Sequence, residues 1–198
     1  MSTQCQDIHA KSSEFLSTRR LQEIARYELC YKRPNYRMGR KRVRKCMEVL
    51  SELEPGLWLD VGAGRGEFEN LCDQFKHSYQ GIEPVPYLAS KNVVTGIATR
   101  LPFGDGIFDY VACLDVLEHL IPEDVGPSLE EMKRVGNGVY LLMASDSPAM
   151  GNSPDGKDLH ISKRPKHKWE ALFREILGDG EYTYLGRCGP SPGWLIRT

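Results

Sequence analysis

Glycines and carboxylates meet at one point of the chain, in the stretch LDVGAGRGEF that begins at residue 59. An apolar run ends in Asp60, and Gly62, Gly64 and Gly66 follow at alternate positions. Glycines accept positive φ angles and let a ligand approach the backbone closely. In an open parallel sheet, a loop between a strand and a helix lies at the edge where ligands bind. We therefore predict a ligand-binding loop here, with a purely structural turn as the alternative.

The carboxylates around this loop favour a positively charged ligand over a dinucleotide. The dinucleotide fingerprint is GxGxxG, with the pyrophosphate at the N-terminus of the following helix. Here the spacing is GxGxG, and Glu67 takes the place of the third glycine, where its charge would repel a diphosphate. The next predicted strand ends in Glu83, which is placed to accept hydrogen bonds from ribose hydroxyls. Together with Asp60, these residues predict a cationic nucleoside and disfavour a dehydrogenase.

Two histidines follow the last two parallel strands that we predict. His119 is a candidate general base because an imidazole has an ordinary pKa of about 6.5, and Glu118 or Asp115 could orient it. His160 lies in the loop after the fifth strand and is a candidate for catalysis and for substrate binding. The alternatives are a histidine that hydrogen-bonds the scaffold and a histidine on a surface loop. With His167 they lack the spacing of a metal site, so no metal is predicted.

Short apolar runs that alternate with amphipathic stretches must position these residues. Such alternation predicts a parallel sheet that is covered by helices on both faces. Two further strands near the C-terminus form an antiparallel pair, so we predict an α/β, doubly wound, mostly parallel seven-stranded sheet. The predicted strands are 57–61, 78–83, 92–98, 107–114, 138–144, 181–186 and 194–197, and the predicted helices are 68–75, 116–120, 123–134 and 168–177.

The N-terminal part of the chain differs from the rest in charge. Residues 1–46 carry twelve Lys or Arg and four Asp or Glu, a net charge of +8, whereas residues 47–198 carry fourteen and twenty-three, a net charge of −9. Apolar residues at helical spacing predict one helix that ends near residue 29 and another over 40–53. We predict a basic helical cap at 1–55 and a ligand-binding domain at 56–198. Tyr31, Tyr36 and Arg37 of this cap are predicted to contact the substrate, with a solvated basic helix face as the alternative.

Length and composition exclude several classes of protein. A chain of 198 residues with 40% hydrophobic and 27% charged residues builds one principal domain with a core, which excludes wholesale disorder. No apolar run approaches the roughly 20 residues that span a bilayer, and the N-terminus lacks the layout of a signal peptide. The six cysteines form no CxxC pair, which is typical of reduced thiols. We expect a cytoplasmic location and no membrane partner, and the oligomeric state is open.

Three stretches, LDVGAGRGEF, GIEPVP and LPFGDGIFDYVACLDVLEHL, resemble class I S-adenosylmethionine-dependent methyltransferases in their order and spacing, over roughly residues 57–145. The resemblance implies a Rossmann-like methyltransferase fold, with S-adenosyl-L-methionine as cofactor and S-adenosyl-L-homocysteine as product. It also implies that Asp60, Gly62, Gly64 and Gly66 line the methionine part of the cofactor, that Glu83 holds the ribose and that Leu114 lies near the sulfonium. Ile97 replaces the acid that commonly binds the adenine, so backbone groups near Ala98 and Thr99 are expected to hold this base.

Methyl transfer from a sulfonium is an in-line displacement that needs no protein nucleophile. The protein fixes the geometry and excludes water, and a general base helps only where the acceptor must lose a proton. We slightly favour a small, anionic metabolite enclosed by the N-terminal helices as the acceptor. The alternatives are nucleic acid or a nucleotide, bound by the basic and tyrosine-containing arm, and a non-catalytic protein that keeps the fold and binds a partner.

Overall fold

The computed structural model describes residues 17–33, 38–149 and 155–198, which include one seven-stranded sheet. Its strands are β1 Leu57–Val61, β2 Ser78–Glu83, β3 Val93–Thr95, β4 Tyr110–Leu114, β5 Val139–Met143, β6 Glu181–Arg187 and β7 Pro192–Arg197. Across the sheet their order is β3-β2-β1-β4-β5-β7-β6. The first five strands are parallel, and β7 runs antiparallel to both of its neighbours. The predicted sheet is confirmed, including its terminal antiparallel pair.

Helices cover both faces of this sheet, as the alternation of strands and helices predicted. The helices are α1 Thr18–Tyr31, α2 Arg40–Glu52, α3 Glu67–Gln74, α4 Pro122–Val135 and α5 Lys166–Leu177, and short 3-10 turns occupy Pro86–Leu88 and Leu117–His119. Apolar side chains of α2 and α3 form one buried cluster with one face of the sheet. Those of α4 and α5 form a second cluster with the opposite face.

The alternation of side chains along β1 explains how both clusters form. Trp58 joins the cluster of α2 and α3, where its ring lies edge-on to Phe68 with 5.3 Å between the ring centroids. Leu59, which points to the opposite face, joins the cluster of α4 and α5. Because both faces are buried, the register of the strand is fixed. The carboxyl ends of β1, β2 and β4 therefore meet at one edge of the sheet.

Three elements differ most from the sequence prediction, whereas the bounds of the others agree within two residues. β4 begins at Tyr110 rather than at residue 107, because Asp109 instead accepts a hydrogen bond from the Leu57 backbone at 2.8 Å. β3 is confined to three residues and does not extend over 92–98. The predicted helix at 116–120 is a short 3-10 turn, because Ile121 precedes Pro122 and adopts the extended conformation that a following proline favours.

The basic and acidic parts of the chain are joined by ion pairs. In α1, Arg20 pairs with Asp124 at the start of α4, and in α2, Arg42 pairs with Asp115 after β4. The two N-terminal helices have different positions, because α2 packs on the sheet while α1 lies over its carboxyl edge.

Among the helices of the described ranges, none combines the length and the apolar character that a membrane span requires.

Candidate functional site

A cavity of about 580 Å³ lies at the carboxyl ends of β1, β2 and β4. Its floor is the edge where open parallel sheets bind ligands, and α1 lies over it. Most of the residues that the sequence singled out line this cavity. They are Tyr31, Asp60, Gly62, Gly64, Glu83, Ala98, Thr99, Leu114, His119 and His160.

The glycine loop after β1 needs glycine for two reasons, backbone conformation and space. Gly62 and Gly64 have φ angles of +81° and +54°, in the left-handed region that other residues adopt at a cost. A Cβ atom on Gly62 would lie 2.3 Å from Val116 Cγ2, and one on Gly64 would lie 2.7 Å from the Tyr31 hydroxyl. Gly66 does not line the cavity, because it forms the turn at which α3 begins.

Glu83 connects the end of β2 to the glycine loop. Its Oε2 accepts a hydrogen bond from the Gly64 backbone at 2.9 Å, and its Oε1 accepts one from the Val85 backbone at 3.2 Å. Burial raises the pKa of this carboxyl to about 7, although both backbone hydrogen bonds lower it. A carboxylate offers about four acceptor sites. Two therefore remain for a ligand with neighbouring hydroxyls, which is the fit that a ribose requires.

Asp60 is a second buried carboxyl group that lines the cavity. Its Oδ2 accepts a hydrogen bond from the Tyr79 hydroxyl at 3.0 Å. Burial raises the pKa of Asp60 to about 7, and the nearby Glu83 adds to this shift. A buried carboxylate is stabilised when a cation or a hydrogen-bond donor approaches it. This end of the cavity is consequently suited to a ligand that carries positive charge.

Glu67, whose charge disfavours a dinucleotide, contacts the backbone of the N-terminal part of the chain. Its side chain accepts a hydrogen bond from the Met38 backbone at 2.6 Å, just before α2 begins. Because Glu67 also lines the cavity, its charge still adds to the negative potential there.

The two candidate histidines are neighbours in the cavity wall. We call the part of the wall around Asp60 and Glu83 the carboxylate end of the cavity, and the part around His119 and His160 its histidine end. The ring centroids of His119 and His160 lie 4.6 Å apart, with an angle of 70° between the ring planes. His119 Nδ1 lies 3.0 Å from the carbonyl oxygen of Leu159, and His160 Nδ1 contacts the carbonyl oxygen of Ser147. A carbonyl only accepts hydrogen bonds, so each Nδ1 donates its proton there, and each Nε2 is left without a partner in these two contacts.

Burial holds the pKa of His119 well below its ordinary value, and repulsion from His160 adds to this effect. His119 is therefore neutral at physiological pH. A neutral imidazole can accept a proton or bind a metal ion through Nε2, which is consistent with more than one chemical role.

Helix α1 makes a contact with the candidate histidines that the sequence did not predict. The ring of Tyr27 lies edge-on to His119, with 4.6 Å between the centroids. Its hydroxyl is buried and has no hydrogen-bond partner in the part of the chain that the structure describes. The feature of the sequence that could have indicated this contact is the spacing of Glu23, Tyr27 and Tyr31, which places three polar side chains on one helix face. Of the other predicted substrate contacts, Tyr36 and Arg37 lie outside the described residues.

Asp115 is held in a strained position beside the histidines. Its φ angle is +56°, which is uncommon for a residue with a side chain and occurs most often at functional sites. Arg42 pairs with its carboxylate, and the Ser191 hydroxyl donates a hydrogen bond to it. Burial nevertheless raises the pKa of Asp115.

A glycine loop after the first strand and a carboxylate at the end of the second define a Rossmann-like, nucleoside-binding class of protein. A family described as methyltransferase domains matches residues 59–141 of the chain. The predicted resemblance to the class I S-adenosylmethionine-dependent methyltransferases is confirmed. The individual roles of the site residues stay predictions.

Known proteins resemble the chain in sequence or in fold. An uncharacterised protein of Methanocaldococcus jannaschii, MJ0638, is 31% identical over 98 residues, which cover 46% of this chain and 42% of that protein. The chain therefore spans less than half of this curated relative.

Two solved structures have the same fold. The 1,6-didemethyltoxoflavin-N1-methyltransferase of Burkholderia thailandensis, with bound 1,6-didemethyltoxoflavin and S-adenosylhomocysteine, gives a TM-score of 0.67 at 15% identity and covers 93% of this chain and 91% of its own. The PH0226 protein of Pyrococcus horikoshii gives a TM-score of 0.64 at 17% identity and covers 84% of this chain and 92% of its own.

Proposed function

We propose that the protein is an S-adenosylmethionine-dependent methyltransferase that acts on a small molecule. The observation that carries this proposal is a single cavity with two chemically different ends. Buried carboxyl groups and glycines line one end, and the imidazoles of His119 and His160 line the other. Such a cavity can hold a cationic nucleoside and a second molecule next to each other.

The carboxylate end is proposed to hold the cofactor. When bound, S-adenosylmethionine supplies a methyl group on a positively charged sulfur. Glu83 accepts hydrogen bonds from the ribose, Asp60 faces the charged methionine part, and the backbone of Ala98 and Thr99 holds the adenine. The Burkholderia enzyme, which has the same fold, is described with S-adenosylhomocysteine, and this supports the assignment.

A small acceptor is favoured over nucleic acid by the volume of the cavity and by the ion pairs of the basic arm. The volume of about 580 Å³ is within the range of about 300–1,000 Å³ that is typical of small-molecule sites. Arg20, Arg26 and Arg42 each pair with an acidic residue of the body, which lowers the positive charge that a phosphate backbone would meet. The Burkholderia enzyme is described with a small heterocyclic molecule, which supports the same choice.

Transfer of a labelled methyl group tests this proposal. The full chain is incubated with S-adenosylmethionine tritiated in the methyl group, together with a low-molecular-weight metabolite extract or with total RNA. We expect label in the small-molecule fraction and none in RNA. Label in RNA would overturn the choice of acceptor. Binding of S-adenosylhomocysteine without transfer to either fraction would support the non-catalytic alternative.

A further inference from the structure

We propose that Glu118, His119 and His160 form a binding site for one divalent transition-metal ion at the acceptor end of the cavity. Each residue offers a ligand atom, and these three atoms lie within 4.8 Å of one another. All three residues are buried. The sequence did not predict this site, because Glu118 and His119 are adjacent and His160 lies far along the chain, a spacing that matches no familiar metal motif.

The hydrogen bonds of the two histidines are those of metal ligands. A histidine that binds a metal through one nitrogen almost always donates the N–H of the other nitrogen to a carboxylate, a backbone carbonyl or water. His119 and His160 both meet this condition, because each Nδ1 donates to a backbone carbonyl oxygen. The orientation of each ring is thus fixed, and each Nε2 is the nitrogen left to bind a metal ion.

The carboxylate of Glu118 supplies independent support. Its Oε1 accepts a hydrogen bond from the Ser145 backbone at 2.9 Å, whereas its Oε2 is buried and receives no hydrogen bond from the described residues. A buried charged oxygen without a partner is costly. A hydrogen bond between Glu118 and the nearby Asp115 requires a proton on one of the two carboxyl groups, and Arg42 is paired with Asp115. A bound cation removes this cost, and a proton shared by the two carboxyl groups is the competing explanation.

The chemical types of the three protein ligands indicate which metal ions the site can bind. Two imidazoles and one carboxylate form a set that binds zinc and other first-row transition metals. Three protein ligands leave at least one coordination position open. Because His119 and His160 line the cavity, this position faces the space for the acceptor. If the proposed function holds, the acceptor then binds through an oxygen atom, such as that of a hydroxyl or a carboxylate.

Titration of Co²⁺ into the full, metal-free chain tests the site, with calorimetry and visible absorption as readouts. We expect one equivalent to bind and to give the absorption bands of Co²⁺ with imidazole ligands. Glu118→Gln, which preserves the acceptor for the Ser145 backbone, and His160→Gln should each weaken binding at least about tenfold. His167→Gln, which removes an exposed histidine outside the cavity, is the matched control and should bind as the wild type does.

Failure to bind one equivalent of Co²⁺, or equal affinity in all four proteins, would overturn the site and favour the shared proton. S-adenosylhomocysteine is titrated separately into each protein in the presence of EDTA, which also shows that the variants are folded. If this nucleoside binds and Co²⁺ does not, the metal site is refuted while the proposed function stands. If Co²⁺ binds and the nucleoside does not, the proposed function is refuted instead.

Discussion

The two ends of the cavity are built in different ways. At the proposed cofactor end, Asp60, Gly62 and Gly64 are neighbours in sequence, and Glu83 follows at the end of the adjacent strand. At the proposed acceptor end, Tyr27, His119 and His160 come from three separated parts of the chain. The difference teaches that a cofactor site can be encoded in one local unit, whereas an acceptor site depends on how distant segments pack.

The two ends also differ in charge. Asp60 and Glu83 are carboxyl groups that become negative near neutral pH. His119, in contrast, is kept neutral by burial, and its hydrogen bond to Leu159 fixes its orientation. A cation is therefore attracted to one end, while the other end presents the neutral imidazole of His119. The following substitutions test whether the proposed cofactor end and the proposed acceptor end differ in these ways. They are given from the largest expected effect to the smallest.

Gly62→Ala should have the largest effect, because it combines backbone strain with a collision. The left-handed φ angle costs about 1–2 kcal/mol, and overpacking against Val116 adds about 1–3 kcal/mol. Chemical denaturation should show a loss of about 2–5 kcal/mol in the free energy of unfolding. Gly186→Ala is the control, since its φ of +80° is similar and its Cβ would meet nothing within 4 Å. Equal losses in both variants would contradict the packing argument.

Asp60→Asn should change how stability depends on pH. The pKa of Asp60 is about 7 in the folded protein, above its ordinary value, so its contribution to stability is complete below about pH 4 and is lost as the pH rises through 7. The wild type should therefore lose about 2–4 kcal/mol across this range from Asp60 alone. Denaturation at pH 4.5, 6.0 and 7.5 should show a smaller decline in Asp60→Asn. The exposed Asp73→Asn should decline like the wild type, and a similar decline in Asp60→Asn would contradict the prediction.

Glu83→Ala should weaken the binding of S-adenosylhomocysteine by about 10- to 100-fold, or about 1.4–2.8 kcal/mol. It removes the acceptor proposed for the ribose and leaves the Gly64 backbone without its hydrogen bond. Calorimetric titration measures the change. Glu69→Ala is the matched control, because Glu69 accepts a hydrogen bond from Asn92 and does not line the cavity. An affinity unchanged by Glu83→Ala would refute this site for the ribose.

Arg20→Ala should have the smallest effect, a loss of about 1 kcal/mol in the free energy of local opening of α1. This helix lies at the proposed acceptor end. The Arg20 side chain is 28% exposed, and Asp124 keeps a favourable position at the N-terminus of α4 when its partner is lost. Hydrogen exchange should show about fivefold faster exchange of the α1 amides, because this pair holds α1 over the cavity. Arg44→Ala, which removes an exposed pair with Glu48, should leave α1 unchanged. Equal exchange in both variants would show that the pair does not hold α1.

Much of the sheet could be predicted from the sequence, because apolar runs report burial directly. The predicted bounds of β1 and β2 agree with the structure, since both strands are short and are followed by clear turns. β4 is shorter than predicted because Asp109 is used for a hydrogen bond to Leu57 rather than for the ladder. Hydrophobic periodicity does not contain information about such side-chain contacts.

The site could be predicted at one end and only in part at the other. Asp60 and Glu83 could be identified because each follows an apolar strand at the same edge of the sheet. His119 and His160 could be named as candidates, but their contact depends on the path of the loop after β5. The charge of the N-terminal arm was interpreted as a surface for an acceptor. In the structure, Arg20 and Arg42 instead pair with the acidic body, which sequence counts alone do not reveal.

A crystal structure of the full chain with S-adenosylhomocysteine tests the central claim most directly. The account predicts both ribose hydroxyls within hydrogen-bonding distance of the Glu83 carboxylate. It also predicts the sulfur near Leu114, with open space between this sulfur and the pair His119 and His160. Nucleoside bound outside this cavity, or with its ribose at the histidine end, would contradict the account.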